Sequence, residues 1–288
     1  LHTDAGTNRV GIGTDAPSDT LTVVGSISGS TFTGGNLNRH FINELTMSRP
    51  SVSTIMLHPG QCTDSANSVY MDLTASVTLN IATTGIDALD TGSEATSTWY
   101  AVYVVSGASG MGGLLSTNET SPTMPSGFTF KRRVGWTYNH SDGDLQNFVQ
   151  TGLGRERTCY WNEPFADYAR IIQNATSLSP LRTAVDCSSR VPPSAHTYVV
   201  RCNPGDTSDQ ARDTSAILPL AVSGSMAGWI YFYGGHGPTS TDAPGAGSIA
   251  PIADFPVSRG DGQTVGFDYI TYNNGNVSVG VLGWKETV

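Results

Sequence analysis

The chain has 288 residues, of which 14% are charged and 38% hydrophobic, with a formal net charge of −9 and a pI near 4.9. That balance excludes a highly charged disordered chain, and no apolar run approaches the ~20 residues that carry a helix across a bilayer. An acidic surface repels phosphate backbones and anionic lipid, so neither nucleic-acid binding nor membrane insertion is expected.

Residues 8–35 are Gly, Ser and Thr punctuated by single apolar residues: Val10, Ile12, Leu21, Val23, Ile27 and Phe32. Such a segment buries too little apolar surface to form a core alone, and is expected to gain order by winding around identical copies of itself. This places a boundary near residue 40, between a slender β-structured stalk over 1–40 and a head over 41–288. The chain starts at Leu1 rather than Met, and is read as a piece of a longer protein. A short helix is expected over Asn38–Met47. Thr54–Leu57, Val69–Leu73 and Val77–Ile81 then read as short strands, with Pro59–Gly60 as a turn. Trp99–Val105 is a longer apolar run, as in a strand covered on both faces. Phe128–Tyr138 and Thr158–Trp161 follow, and a second short helix is expected over Glu163–Asn174, with Asn162 as its cap. Strands resume at Arg182–Cys187, Tyr198–Cys202 and Trp229–Tyr233. Within Thr264–Trp284, Asn274–Gly275 between two β-rich arms predicts a hairpin. Strands at this spacing predict an all-β protein, with an antiparallel, jelly-roll-like β-sandwich as its head.

Two stretches carry a resemblance. Asn8-Arg9-Val10-Gly11-Ile12-Gly13-Thr14, followed by Pro17, Leu21, Val23, Gly25 and Ile27, resembles a recurrent element of bacteriophage tail fibres. A longer stretch runs from Thr54-Ile55-Met56-Leu57 and Pro59-Gly60 through Gly85-Ile86-Asp87-Ala88-Leu89-Asp90-Thr91-Gly92. It continues to Pro122-Thr123-Met124-Pro125-Ser126-Gly127-Phe128 and Lys131-Arg132-Arg133-Val134-Gly135. It is similar to a module of phage tail fibres and tail appendages. Together the two cover about half the chain. They imply a virion structural protein, assembled in the host cytoplasm, that trimerises and contacts other tail or baseplate proteins. The same resemblance implies adhesion to a host cell-surface glycan or protein. A capsid head fibre or decoration protein and a glycan depolymerase are the alternatives. The resemblance transfers no catalytic or ligand residues.

The residues themselves point away from chemistry. Gly11-Ile12-Gly13-Thr14-Asp15-Ala16 fits the dinucleotide pattern, but Pro17 and the Gly/Ser/Thr-rich continuation offer no helix to face a pyrophosphate. The six histidines are scattered without metal-ligand spacing, and the four cysteines form no CxxC pair. Neither a cofactor, a metal nor a catalytic residue is therefore expected. Asp142-Gly143-Asp144 and Asp206-Thr207-Ser208-Asp209 hold oxygen donors but complete no calcium loop. A depolymerase would need facing carboxylates, for which Glu156 with Glu163 and Asp254 with Asp261 are the candidates. Lys131-Arg132-Arg133 on a strand alternates faces, which favours an ion pair across a sheet or interface over an anion patch. If the strands of Cys187 and Cys202 pair antiparallel, their Cβ atoms come within disulfide reach.

Aromatic residues beside polar ones, Trp136, Tyr138, Trp161, Trp229, Tyr231, Phe232 and Tyr233, read either as core or as a surface for stacking sugar rings. The loop from Gly234 to Pro256 is about 20 residues, beyond the 12–15 above which loops are usually functional. Tyr233, His236 and Asp242 are accordingly placed at the receptor surface.

Overall fold

The computed structural model describes residues 2–4, 6, 9–16, 18, 21–23, 40–162, 170–172, 183–205, 213–219, 230–234, 252–256, 258–259, 265–271 and 276–288. Every regular element among them is a β-strand, so the described structure is all-β. The chain divides into two compact units, Leu1–Asn36 and Leu37–Val288.

The first unit holds β1 (His2–Asp4), β2 (Arg9–Ile12) and β3 (Leu21–Val23). β1 pairs antiparallel with β2, and β3 pairs parallel with β2. The register sets Val10 opposite Leu21 and Ile12 opposite Val23. The apolar Val10 and Ile12, two apart on β2, fall on one face of this small sheet.

The second unit opens with β4 (Ile42–Glu44), β5 (Met47–Ser51), β6 (Thr54–Leu57), β7 (Gly60–Thr63), β8 (Tyr70–Leu73) and β9 (Val77–Thr84). Then come β10 (Ala88–Leu89), β11 (Thr98–Gly107), β12 (Gly110–Ser116), β13 (Phe128–Asn139), β14 (Phe148–Thr151) and β15 (Glu156–Trp161). β16 (Arg170–Ile172), β17 (Thr183–Asp186), β18 (Thr197–Gly205), β19 (Asp213–Pro219) and β20 (Ile230–Gly234) follow. β21 (Ile252–Pro256), β22 (Ser258–Arg259), β23 (Val265–Thr271) and β24 (Asn276–Thr287) complete the series. A seven-stranded sheet runs β13-β11-β12-β10-β9-β6-β5, and a six-stranded sheet runs β14-β15-β24-β18-β21 with β16 also on β24. A five-stranded sheet runs β17-β23-β19-β20 with β22 on β23, and β4-β7-β8 form a small three-stranded sheet. The pairing is mostly antiparallel, but β10 runs parallel to both β9 and β12, so the largest sheet is mixed.

β11 is the middle of the core. Its Tyr100, Val102 and Val104 point into one cluster with Leu57, Leu79 and Leu115. Its Ala101, Tyr103 and Val105 point into another with Leu114 and Trp136. The strand is thus covered on both faces, as its unbroken apolar run predicts.

Three expectations are corrected. Over residues 40–47, the described part of Asn38–Met47, no helix forms. Glu44 and Leu45 take φ of 58° and 52°, a left-handed turn between β4 and β5 that drops Leu45 into the core. Burial of Ile42, Leu45 and Met47 outweighs a weak helical preference. The helix expected over Glu163–Asn174 is contradicted at β16, where Arg170 and Ile172 pair with Gly280 and Val279. The rest of that segment lies outside the described residues. Finally, the arms around Asn274–Gly275 form no hairpin. β23 pairs with β17, β19 and β22, whereas β24 pairs with β15, β16 and β18. The chain crosses between sheets there.

Candidate functional site

Four of the five tryptophans meet in the second unit. The Trp99 ring lies 5.4 Å from Trp284 and 5.8 Å from Trp161, while Trp161 and Trp284 are 4.9 Å apart. Trp136 meets Trp99 edge-on at 6.5 Å, and Tyr138 lies 4.9 Å from Trp99. β11 and β13 supply one side of this cluster, and β15 and β24 the other. The indole N–H groups are satisfied: Trp99 donates to the Ser188 carbonyl at 2.7 Å, Trp161 to Arg190 at 3.2 Å and Trp136 to the Ser194 hydroxyl at 2.7 Å. Trp136 is 1% and Tyr138 5% exposed. For these two, the core reading holds over the sugar-stacking one.

The basic run resolves residue by residue. Arg132 is buried, where loss of water lowers its pKa, and donates to the Val288 carbonyl at 2.7 Å. Arg133 takes the opposite face and pairs with Glu286 at 2.6 Å. That is the cross-sheet ion pair the alternation predicts.

The remaining sequence candidates separate. Tyr233 sits in β20 opposite Thr214, while His236 and Asp242 lie outside the described residues. Glu156 accepts from the Thr287 hydroxyl at 2.6 Å and lies 3.2 Å from the His196 ring. Those contacts, led by the Thr287 hydrogen bond, hold its carboxyl below the usual range. Asp254 pairs with Lys285. Glu163 and Asp261, their proposed partners, lie outside the described residues. β17 and β18 belong to different sheets, so the antiparallel pairing that would set Cys187 beside Cys202 is not formed. Among the described residues, no group of three His, Cys, Asp or Glu side chains is placed to hold a metal.

A different place gathers polar groups around a concavity. A cleft of about 160 Å³ is lined by Arg49, Val52, His140, Asp142, Asp144, Leu145 and Gln146. One wall is the β5–β6 turn and the other is the loop leaving β13. Gly143, at φ 90°, permits the tight loop, which is closed by His140 N–H to the Asp144 carbonyl at 2.9 Å and Asp144 N–H to Asp142 Oδ1 at 3.0 Å. The walls are tied together by Leu145 N–H to the Val52 carbonyl at 2.7 Å and Arg49 Nη1 to the Leu145 carbonyl at 2.8 Å. The Asp144 amide first, and then His140, hold the Asp142 carboxyl below its ordinary pKa. Arg49 Nε is buried with no hydrogen-bond partner. In the sequence, Asp142 and Asp144 stand out only as oxygen donors that complete no calcium loop, around an Asp-Gly turn signal. Arg49 and Val52 lie some 90 positions away, and no local pattern links them.

No protein-family model matches the chain, and neither a curated protein nor a solved structure does.

Proposed function

We propose that the chain is part of a trimeric bacteriophage fibre that attaches the virion to a host cell surface. In this reading the first unit contributes to a β-structured stalk, and the second is a jelly-roll-like head that binds by adhesion without chemistry.

The observation that carries the reading is the register of β2 and β3. Val10 pairs with Leu21 and Ile12 with Val23, and Val10 and Ile12, two apart on β2, share one face of a sheet of three short strands. Ile12 is 46% exposed in the single chain. A sheet this small cannot bury enough surface alone, and two identical neighbours winding alongside would cover such a face. The resemblance of the same residues to phage fibre elements supports this geometry. Three equivalent heads would add avidity, so each contact can be weak.

Light scattering of the 288-residue protein at micromolar concentration tests the assembly. Three times the 30.3 kDa subunit mass is expected, and a stable monomer overturns the trimer. Immunogold labelling of the parent phage tests the location. Label on a fibre or other surface appendage is expected, and intact particles without label overturn the virion assignment.

A further inference from the structure

We infer that the β14–β15 hairpin is a clasp that locks the first strand of the second unit, β4, to its last, β24, so that neither opens without the other. The device stands apart from the attachment reading above and needs no ligand.

β4 is a weak start to a folded unit. It has three residues, Ile42–Glu44, and its ladder is to β7. Segments this short at the edge of a unit fray unless something ties them down. The hairpin supplies three ties. Glu44 N–H donates to the Leu153 carbonyl at 2.7 Å, and the Arg157 guanidinium donates to the Glu44 carbonyl. Just beyond, Met47 N–H donates to Gln150 Oε1 at 2.9 Å.

The same hairpin holds β24. Glu156 and Arg157 lie opposite Thr287 and Glu286 in the ladder. The Thr287 hydroxyl donates to Glu156 Oε1 at 2.6 Å, and Val288 N–H donates to the Arg155 carbonyl at 2.9 Å. Residues 150–157 therefore carry both sets of ties.

Arg157 joins the parts of the clasp. It is 1% exposed, and its second terminal nitrogen donates to the Gly152 carbonyl in the hairpin's own turn. One guanidinium thus fixes the turn and grips β4, through hydrogen bonds of the stronger, charge-assisted kind. A buried cation is costly to desolvate, and the grip on two carbonyls from distant parts of the chain is what offsets that cost here. Gly152, at φ 95°, closes the turn, and a Cβ there would run into the Glu156 carbonyl. A pull arriving along the chain from Leu1–Asn36 is therefore met by the hairpin and β24 together, rather than by a three-residue strand alone.

Hydrogen–deuterium exchange of the full chain, read by mass spectrometry, tests the clasp. Arg157→Met keeps the bulk of the side chain and removes its donors, and Gly152→Ala distorts the turn. In each variant, peptides over residues 41–47 and over residues 284–288 should both exchange about tenfold faster than in the parent, while β11 keeps its rate. Arg157→Lys has one terminal nitrogen for two carbonyls and should fall between, which gives a reading if Arg157→Met does not fold. Loosening of both segments together supports the clasp. Loosening of only one of them, unchanged exchange in both, or acceleration that extends equally to β11 overturns it.

Discussion

Arg133 and Glu286, 153 positions apart, meet at 2.6 Å, with the carboxylate entirely buried. The contact joins β13 of the seven-stranded sheet to β24 of the six-stranded one. Glu286 also accepts from the Ser194 hydroxyl at 3.0 Å and from Trp284 Nε1 at 3.3 Å. Ser194 in turn accepts from Trp136. Arg133 donates a second time, to the Thr287 carbonyl at 3.2 Å, and its guanidinium lies 5.5 Å from the Trp136 ring centre. The ion pair is therefore the polar centre of the tryptophan cluster, and Glu286 accepts at both of its carboxylate oxygens.

A satisfied buried pair contributes little net stability, because desolvation offsets attraction, but losing one partner strands the other. Glu286→Ala is expected to cost about 3–5 kcal/mol in urea unfolding. Arg133→Met with Glu286→Leu should cost less than the sum of the single changes. Additive costs, or a loss below about 1 kcal/mol for Glu286→Ala, would show that the pair is not coupled.

Gly283 of β24 pairs with Tyr160 of β15 and leaves no room for a side chain. A Cβ there would run into the Cys159 carbonyl, a backbone atom with no room to yield. Gly283→Ala should separate the two strands and destabilise the protein by more than about 2 kcal/mol, measured by urea titration. Gly154, with nothing near its would-be Cβ, is the control, and Gly154→Ala should be close to neutral. Equal effects of the two substitutions would mean the strands are not held at this spacing.

Much of the fold was legible in local pattern. Thr54–Leu57 forms a strand with the bounds its composition predicts, and the apolar run of β11 is covered on both faces. Local signals failed where distant burial set the outcome. Asn274–Gly275 is a strong hairpin signal, yet Trp284 and Glu286 are buried against strands more than a hundred residues upstream, which commits β24 to another sheet. Asn38–Met47 has some helical spacing, but Leu45 reaches the core only through a left-handed turn. The cleft was invisible for the same reason. Its loop announces itself as Asp-Gly, whereas Arg49 and Val52 join it through hydrogen bonds spanning about 90 positions.

Burial makes stability sensitive to alkali. It pushes the Cys62 thiol from 9.0 up to about 12, against a partial pull downward from Arg132, and it raises Cys159 in the same direction. The folded-state value of Cys62 lies above its unfolded one, so the stability of its neutral thiol is whole below pH 9 and drains as pH rises from 9 towards 12. Each unit within that window should cost up to about 1.4 kcal/mol through Cys62. Urea midpoints at about pH 8 and about pH 10.5 should differ clearly, and by less in Cys62→Ala. A Cys62→Ala profile that falls as steeply as the parent's would remove Cys62 as a cause. In the native protein at neutral pH, both thiols should resist alkylation.

Ile12 offers the sharpest test of assembly. In an isolated chain, a side chain 46% exposed tolerates a charge at almost no cost, because it already contacts water. On an apolar face shared by three copies, the same carboxylate would be buried threefold beside its own equivalents, and like charges in a dry seam repel. Ile12→Asp should therefore lower the mass seen by light scattering while leaving the second unit folded. Tryptophan emission separates the two effects, since all five tryptophans lie at or beyond residue 99 and report that unit alone. A mass that falls with unchanged emission places the assembly contacts in the first unit. If the mass holds, that face is not where the copies meet.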